Sequence, residues 1–487
     1  MLFNSYIFIL LFLPVCLLGY FSLNRFGMKK AAMVFLLGMS LWFYGYNNIY
    51  YLAVIIFSIL ANFTGCKAIL SLQKTEKEKT SKAVMILFVL INIGLLVYFK
   101  YMDFFISNMN SVFGTGFNLL HIALPLGISF FTFQQISFIV DTYHKEIESV
   151  DFIDYACFVS FFPQLIAGPI VTHDEMLPQF RDEKKKLVNM ENLTRGFYIF
   201  SLGLAKKVLI ANRFSDAVSY CYATINKMNT VSAAICMLAY TIQIYFDFSG
   251  YCDMAVGIGK MLNIDIPINF NSPYKALTIT EFWERWHITL TRFFRKYIYF
   301  PLGGSRKGMV RTCFNIMVVF VVSGMWHGAD WKFVIWGAMH GVFMVITRIF
   351  NKFFKNLHPA VNWIITFLFV NVAWVFFRAP SINDALIVIR NFFSFNFTGF
   401  DTVISDTFRF KEVAKLASML RIERYWPRFI MSAYFLVSFW LMVAGKNAIE
   451  KAKEFKPNFK NAAVIIVLLV WSICSLNKVQ EFLYFNF

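Results

Sequence analysis

The sequence predicts an all-α polytopic membrane protein, and three observations carry that reading. Of 487 residues, 58% are hydrophobic and only 15% charged, whereas soluble domains carry roughly 25% charged residues; the chain has too few charges to cover a water-facing surface. The apolar runs are continuous instead of alternating, which argues against a β-barrel. At about 20 apolar residues per crossing they supply roughly 11 transmembrane helices.

Taken in order, the runs fall at residues 3–23, 31–46, 49–70, 83–101, 119–141, 152–170, 194–212, 231–247, 313–326, 331–349, 362–377, 428–445 and 462–484. No basic stretch precedes the first, and Arg25, Lys29 and Lys30 follow it. It reads as a retained helix with its N-terminus outside, not as a cleaved signal. Two spans later comes the Lys-rich segment 73–82, which then lies on the same, cytoplasmic side. The loop Asp103 to Asn118 falls outside, and Arg181 to Lys186 and Lys446 to Lys460 are further cytoplasmic candidates. Several runs are short or interrupted by Gly and Pro, so some form re-entrant or half-buried segments.

The net charge of +18 fits this cytoplasmic bias of Lys and Arg better than nucleic-acid binding. The eight cysteines stand mostly alone in apolar sequence and form no CxxC pair, which argues for neither a disulfide framework nor a zinc site. No hydrophilic stretch approaches the roughly 100 residues of a soluble domain. A single membrane domain over 1–487 is the simplest organisation.

Polar groups inside spans are costly and mark functional positions by default. Three segments concentrate them. In Tyr240 to Met254 the residues Gln243, Asp247, Ser249 and Asp253 interrupt an aromatic run. On a helix Gln243, Asp247 and Gly250 share a stripe, suited either to substrate contact or to a hydrogen-bonded knot between helices.

The second segment passes from Asn269 and Asn271 to Tyr297. Ser272-Pro273, Thr278 and Thr280 offer turn and N-cap chemistry, and Glu281 and Glu284 suit a first turn, so a helix starts near residue 280. Arg285, Arg292 and Lys296 then recur on one face, with Trp283 and His287 nearly opposite. From Glu281 to Arg311, seven basic residues stand against two acidic ones, a net +5. Such a patch suits capture of a phosphate-bearing donor such as a coenzyme A thioester, or anchoring to lipid headgroups.

The third segment is SGMWHGADW at residues 323–331. It places His327 between Gly324 and Gly328 beside Trp326, directly after an apolar run. Glycines permit close backbone approach, which suits a narrow channel better than a plain packed helix.

Six motifs then carry a resemblance: LPLGISFFTFQ (124–134), FFPQLIAGPI (161–170), IYFDFSGY (244–251), FNSPY (270–274), FWERWH (282–287) and GMWHGA (324–329). Together they resemble the membrane-bound O-acyltransferase (MBOAT) family, in its bacterial AlgI-like polysaccharide O-acetylation branch, with DltB more distant. The resemblance implies a helical fold around a central tunnel, with re-entrant and interfacial helices and a motif-bearing core at residues 119–349. It implies a multi-pass protein of the bacterial inner membrane. It also implies a catalytic His327, in the Trp-His-Gly motif, and a second catalytic histidine, His287, in the Arg-Trp-His motif. Its expected partner is an extracytoplasmic SGNH-type acetyltransferase or a small membrane peptide.

Acyl transfer from a thioester to a hydroxyl requires a base for the hydroxyl and stabilisation of the developing oxyanion. A neutral imidazole serves as that base near physiological pH, so His327 is assigned as base in a tunnel, at mid-depth. His287 polarises the thioester, orients the acceptor or holds the His327 tautomer; an acyl-His327 intermediate stays open. Candidates for donor or substrate contact are Trp283, Arg285, Arg292, Lys296, Asp247, Ser249, Asn271 and Trp326. No metal site or bound cofactor is expected; acetyl-CoA, or another acyl thioester, is the donor substrate. His340, His121, His144, His173 and His358 are read as structural or loop residues. Two alternatives remain: D-alanyl transfer to teichoic acid from a carrier-protein thioester, and a polysaccharide or lipid transporter with Asp247, Asp253, His287 and His327 along its path.

Overall fold

The computed structural model describes residues 1–409, 426–476 and 482–483. Among these, eight helices are long and apolar enough to cross a membrane: Phe8–Arg25, Tyr50–Lys74, Glu78–Phe113, Thr230–Met261, Gly308–His327, Trp331–Ile349, Pro359–Arg378 and Trp426–Val443. The apolar helix Phe459–Cys474 is shorter. Apart from one isolated antiparallel bridge, Phe270 to Trp286, the regular structure of the described residues is helical. The architecture is the expected all-α polytopic one.

Most of the remaining apolar runs make shorter pieces, while the run at 194–212 lies in a continuous helix from Met190 to Ala223 that carries Arg195, Lys206, Lys207 and Arg213, which leaves eight helices that are both long and apolar enough in place of roughly 11. The run at 119–141 begins without helix and turns at Gly127, whose φ of 71° is left-handed, into Ile128–Tyr143. The run at 152–170 breaks into Phe152–Ser160 and Phe162–Leu165, with Pro163 opening the second piece. Pro lacks the N–H that would continue the first helix. Residues 155–170 are all buried, as expected of a re-entrant segment.

Thr230–Met261 is the central element: 78% of its most apolar window is buried, against at most 44% in the other spans. It packs against Met190–Ala205 and the π-helical continuation Lys206–Ala211. A Cβ added at Gly203 would lie 2.6 Å from the Gly250 carbonyl oxygen, so this seam has backbone against backbone, the small-residue packing used between membrane helices. Along it, Asp247 pairs with Lys207 in a buried ion pair, and Asp253 pairs with Lys206 at 2.6 Å. The Gln243–Asp247–Gly250 stripe therefore contains a knot between helices, with the Leu483 N–H donating to the other Asp247 oxygen at 3.0 Å.

Polar contacts gather the basic segments on one side. Lys29 pairs with Glu183, Lys185 and Lys260 both reach Asp265 at 2.8 and 2.7 Å, and Gln73 donates to the Tyr143 carbonyl at 2.8 Å. Phe455, in the connection 446–460, packs on Tyr198 at 4.8 Å in the helix whose first turn meets Asn263, and Asn263 donates to the Lys185 carbonyl. By the Lys/Arg bias this face is cytoplasmic. At the other end Trp331 donates to Asn108 at 2.8 Å.

Candidate active site

His327 is the last residue of Gly308–His327. The span starts beside Arg306 and Lys307, and its last residue, His327, lies four residues before Trp331. The flanking glycines serve packing rather than a channel. A Cβ at Gly324 would meet the Phe333 carbonyl oxygen at 2.3 Å, and one at Gly328 would meet the Phe333 ring at 2.1 Å. They let the helix Trp331–Ile349 close against this one. The His327 ring is buried among Trp326, Trp336 and Phe377, with centroids at 4.9, 5.0 and 5.2 Å.

His287 comes to the same place by a break in its helix. Thr278 caps the expected start, accepting from the Glu281 N–H at 3.2 Å. The helix nevertheless stops at Arg285 and a second one begins at Ile288. The reason is pairing with the preceding segment: the Asn271 N–H donates to the Arg285 carbonyl at 2.9 Å, and the Ile288 N–H to the Asn269 carbonyl at 3.0 Å. His287 is left at φ 46°, ψ 51°, a left-handed conformation costing about 1–3 kcal/mol in a non-glycine residue. Consequently Arg285 does not share a continuous helical face with Arg292 and Lys296, and the i, i+4 relation of Trp283 to His287 is lost.

The break fixes a tautomer. Asn269 Oδ1 accepts from the Thr289 N–H at 3.2 Å and from its hydroxyl at 3.0 Å, so this atom is the amide oxygen. The His287 Nδ1 lies 3.1 Å from it and must be the donor. In the neutral ring the lone pair then belongs to Nε2. Trp326 spans the two histidines, its ring 4.9 Å from His327 and 6.1 Å from His287.

Two residues of the site were not singled out from the sequence. His340 is fully buried, accepts from the Trp283 indole N–H at 3.2 Å, and shares Trp336 with His327. Trp283 thus positions a third histidine. Lys100, at the end of the apolar run 83–101, donates to the Trp326 carbonyl at 2.5 Å, the His327 carbonyl at 3.4 Å and Ser129 Oγ at 3.3 Å. It satisfies carbonyls at the C-terminus of the His327 helix, where a cation is also favoured by the helix dipole. The available signal was a lysine inside a span. Lys100, Ser129, Trp326 and His327 line a cavity of about 30 Å³, room for a water or two by the ~10–15 Å³ that one water needs.

The remaining candidates lie away from the histidines or are held by carboxylates. Arg292 is bidentate to Glu175, at 2.5 and 2.8 Å. Lys296 bridges Asp141 and Glu146, at 2.9 and 2.8 Å; burial opposes its charge, but these carboxylates outweigh burial and raise its pKa. Arg285 pairs with Glu281 at 2.7 Å. Asn271 accepts from Asn447, Asp247 is committed to Lys207, and Ser249 is buried within the central helix. Within the basic patch, Arg295, Arg306, Lys307 and Arg311 have no carboxylate partner among the described residues. Asp141, Glu146 and His173 bring potential ligand atoms within 4.8 Å of one another, but the Lys296 ammonium already bridges the two carboxylates.

The polytopic helical bundle thus buries the histidines of the Trp-His-Gly and Arg-Trp-His motifs in one aromatic cluster. Residues 140–382 match the model of MBOAT, the membrane-bound O-acyltransferase family. The chain is 43% identical over 426 residues to the peptidoglycan O-acetyltransferase of Helicobacter pylori, covering 81% of this chain and 80% of that protein. It is 38% identical over 402 residues to the probable alginate O-acetylase AlgI of Pseudomonas aeruginosa, covering 81% and 75%. The teichoic acid D-alanyltransferase of Bacillus subtilis is 28% identical over 264 residues, covering 50% and 66%. The chain belongs to the membrane-bound O-acyltransferase family and is a multi-pass membrane enzyme that transfers acyl groups.

Proposed function

We propose that the protein is an O-acetyltransferase that moves an acetyl group from cytoplasmic acetyl-CoA to hydroxyls of an extracytoplasmic polysaccharide, with His327 as general base. The single observation that carries the mechanism is the meeting of His327 and His287 on Trp326, far apart in sequence and buried together. The relatives that cover four fifths of the chain are named for acetylation of peptidoglycan and alginate, which supports acetyl over D-alanyl as the group transferred. A glycan of the cell wall or an exopolysaccharide is the acceptor. The transporter alternative loses its support, because the family is one of acyltransferases.

His327 closes a span that starts beside Arg306 and Lys307, which supports a division of labour. The donor enters from the basic side and only the acetyl group reaches the outer face. A neutral His287 with its Nδ1–H on Asn269 offers a lone pair at Nε2, so it suits orienting a hydroxyl or a histidine N–H, not polarising a thioester carbonyl. A partner of the SGNH-type acetyltransferase class, or a small membrane peptide, then completes delivery to the polymer.

The test is transfer of radiolabel from acetyl-CoA to purified peptidoglycan or exopolysaccharide by the reconstituted protein, with and without such a partner. Label loss from acetyl-CoA should fall at least 100-fold in His327→Ala, the scale of a general base, while insertion and melting temperature are kept. Activity retained by that variant would refute the assignment. Transfer from a D-alanyl carrier protein but not from acetyl-CoA would favour the other donor.

A further inference from the structure

Away from the histidines, a groove of about 940 Å³ opens on the flank of the bundle between Met190–Ala205 with its π continuation, Trp426–Val443 and Phe459–Cys474. Its long walls are apolar, with Leu202, Leu209, Val437, Leu441, Val464 and Leu468 facing one another. One end is cationic. Lys446, Lys451 and Lys460 stand there; Lys446 is held by Glu454 at 2.6 Å, while Lys451 and Lys460 have no carboxylate partner among the described residues. Burial, and then the charge of Lys206, holds the Lys451 ammonium below its ordinary range, the situation that a bound anion relieves.

Length and side decide what fits. The cationic end is the 446–460 connection, on the face where the basic segments gather. From Asn461 to Trp471 the groove follows its helix for about 15 Å, at 1.5 Å per residue, half of the roughly 30 Å hydrocarbon core. It is one leaflet deep. A free phosphate would use the lysines and leave the apolar wall bare, whereas an uncharged chain would use the wall and leave two lysines without an anion. Basic pockets between spans on the cytoplasmic side are suited to acidic lipid headgroups. We propose that this groove binds one anionic glycerophospholipid of the cytoplasmic leaflet, its phosphate between Lys451 and Lys460 and its acyl chains along Val437, Leu441, Val464 and Leu468. The site is separate from the histidines: Tyr245 lines the groove and lies between it and Trp286, 6.4 Å away. It does not depend on the identity of the acyl donor or acceptor.

The test is native mass spectrometry of the full-length protein from nanodiscs holding equal amounts of phosphatidylglycerol and phosphatidylcholine with identical chains. The wild type should retain phosphatidylglycerol in preference. With each lysine contributing on the scale of a membrane-surface lysine, K451Q/K460Q should reduce that preference about 30-fold. Lys446→Gln, the carboxylate-paired control, should change it far less. Val437→Trp, which fills the wall, should reduce retention of both lipids, and it supplies the test if the double variant does not fold. Equal retention of the two headgroups by the wild type, or an undiminished preference in K451Q/K460Q, would overturn the proposal. So would full retention by Val437→Trp, or displacement of the lipid by millimolar inorganic phosphate.

Discussion

The amide oxygen of Asn269 lies 3.1 Å from Nδ1 of His287 and holds the Thr289 N–H and hydroxyl as well. One side chain therefore sets both the tautomer of His287 and the start of the helix that follows. Asn269→Leu should lower kcat about 10–100-fold, by analogy with loss of an outer-shell partner of a functional histidine. It should also destabilise the protein, since buried donors left unpaired cost about 1–3 kcal/mol each. Asn269→Asp keeps the acceptor and should retain much more activity. Kinetics and melting curves of both variants check this; equal kcat values would separate His287 orientation from turnover.

Lys100 reaches the carbonyls of Trp326 and His327, so Lys100→Met should loosen the turn that carries His327. The expected result is a tenfold or greater fall in kcat with little change in donor KM, and a melting temperature lowered by the loss of about 1–3 kcal/mol. A change in KM alone would instead place Lys100 in donor binding.

Arg292 is bidentate to Glu175 at 2.5 and 2.8 Å, whereas Arg306 and Arg311 have no carboxylate partner among the described residues. Neutralising Arg292 should cost up to about 1 kcal/mol of stability, as for a partly exposed pair, and leave the acetyl-CoA KM near its starting value. Neutralising Arg306 and Arg311 together should raise that KM about tenfold or more, on the scale of charge-assisted bonds. Measured KM values for the two sets decide which cations meet the donor.

The Gly324 position has no room for a side chain, with the Phe333 carbonyl oxygen 2.3 Å from where a Cβ would sit. Gly324→Val should separate the helices on either side of His327, lowering stability by about 1–3 kcal/mol as overpacking does. Activity should fall further than Gly38→Ala, where nothing lies within 4 Å. Thermal unfolding in detergent measures the first and acetyl-CoA turnover the second.

Asp265 joins Lys185 and Lys260 on the cytoplasmic face. Burial works against its charge, but the two lysines outweigh it and hold the carboxyl below its ordinary 3.8. Its folded-state pKa is depressed, so its stabilisation is fully present above the unfolded value and lost as pH falls through the folded one. The melting-temperature difference between wild type and Asp265→Asn should be constant from neutral pH to about pH 5 and shrink below pH 4. A difference unchanged at pH 3 would remove the ion pairs from its cause.

How much of this was legible in the chain follows from the range of each signal. Apolar run length and low charge are local properties, and by themselves they determined the membrane class. The six motifs together determined the family resemblance, and the Trp-His-Gly and Arg-Trp-His motifs among them pointed to the two candidate histidines. The helix start near residue 280 was equally local, since Thr278 and Glu281 carry it. Its break was not: the Phe270–Trp286 bridge and the Asn269 contact to His287, 18 positions away, overrode helical periodicity. The fate of the cations lay beyond the chain alone, because Glu175 meets Arg292 from 117 positions away and Glu146 meets Lys296 from 150. Lys100 reaches Trp326 across 226. Periodicity says which face of a helix is apolar; which charges neutralise one another, and which lysine caps the His327 helix, only the tertiary structure decided, because those energies depend on distances that sequence spacing does not set.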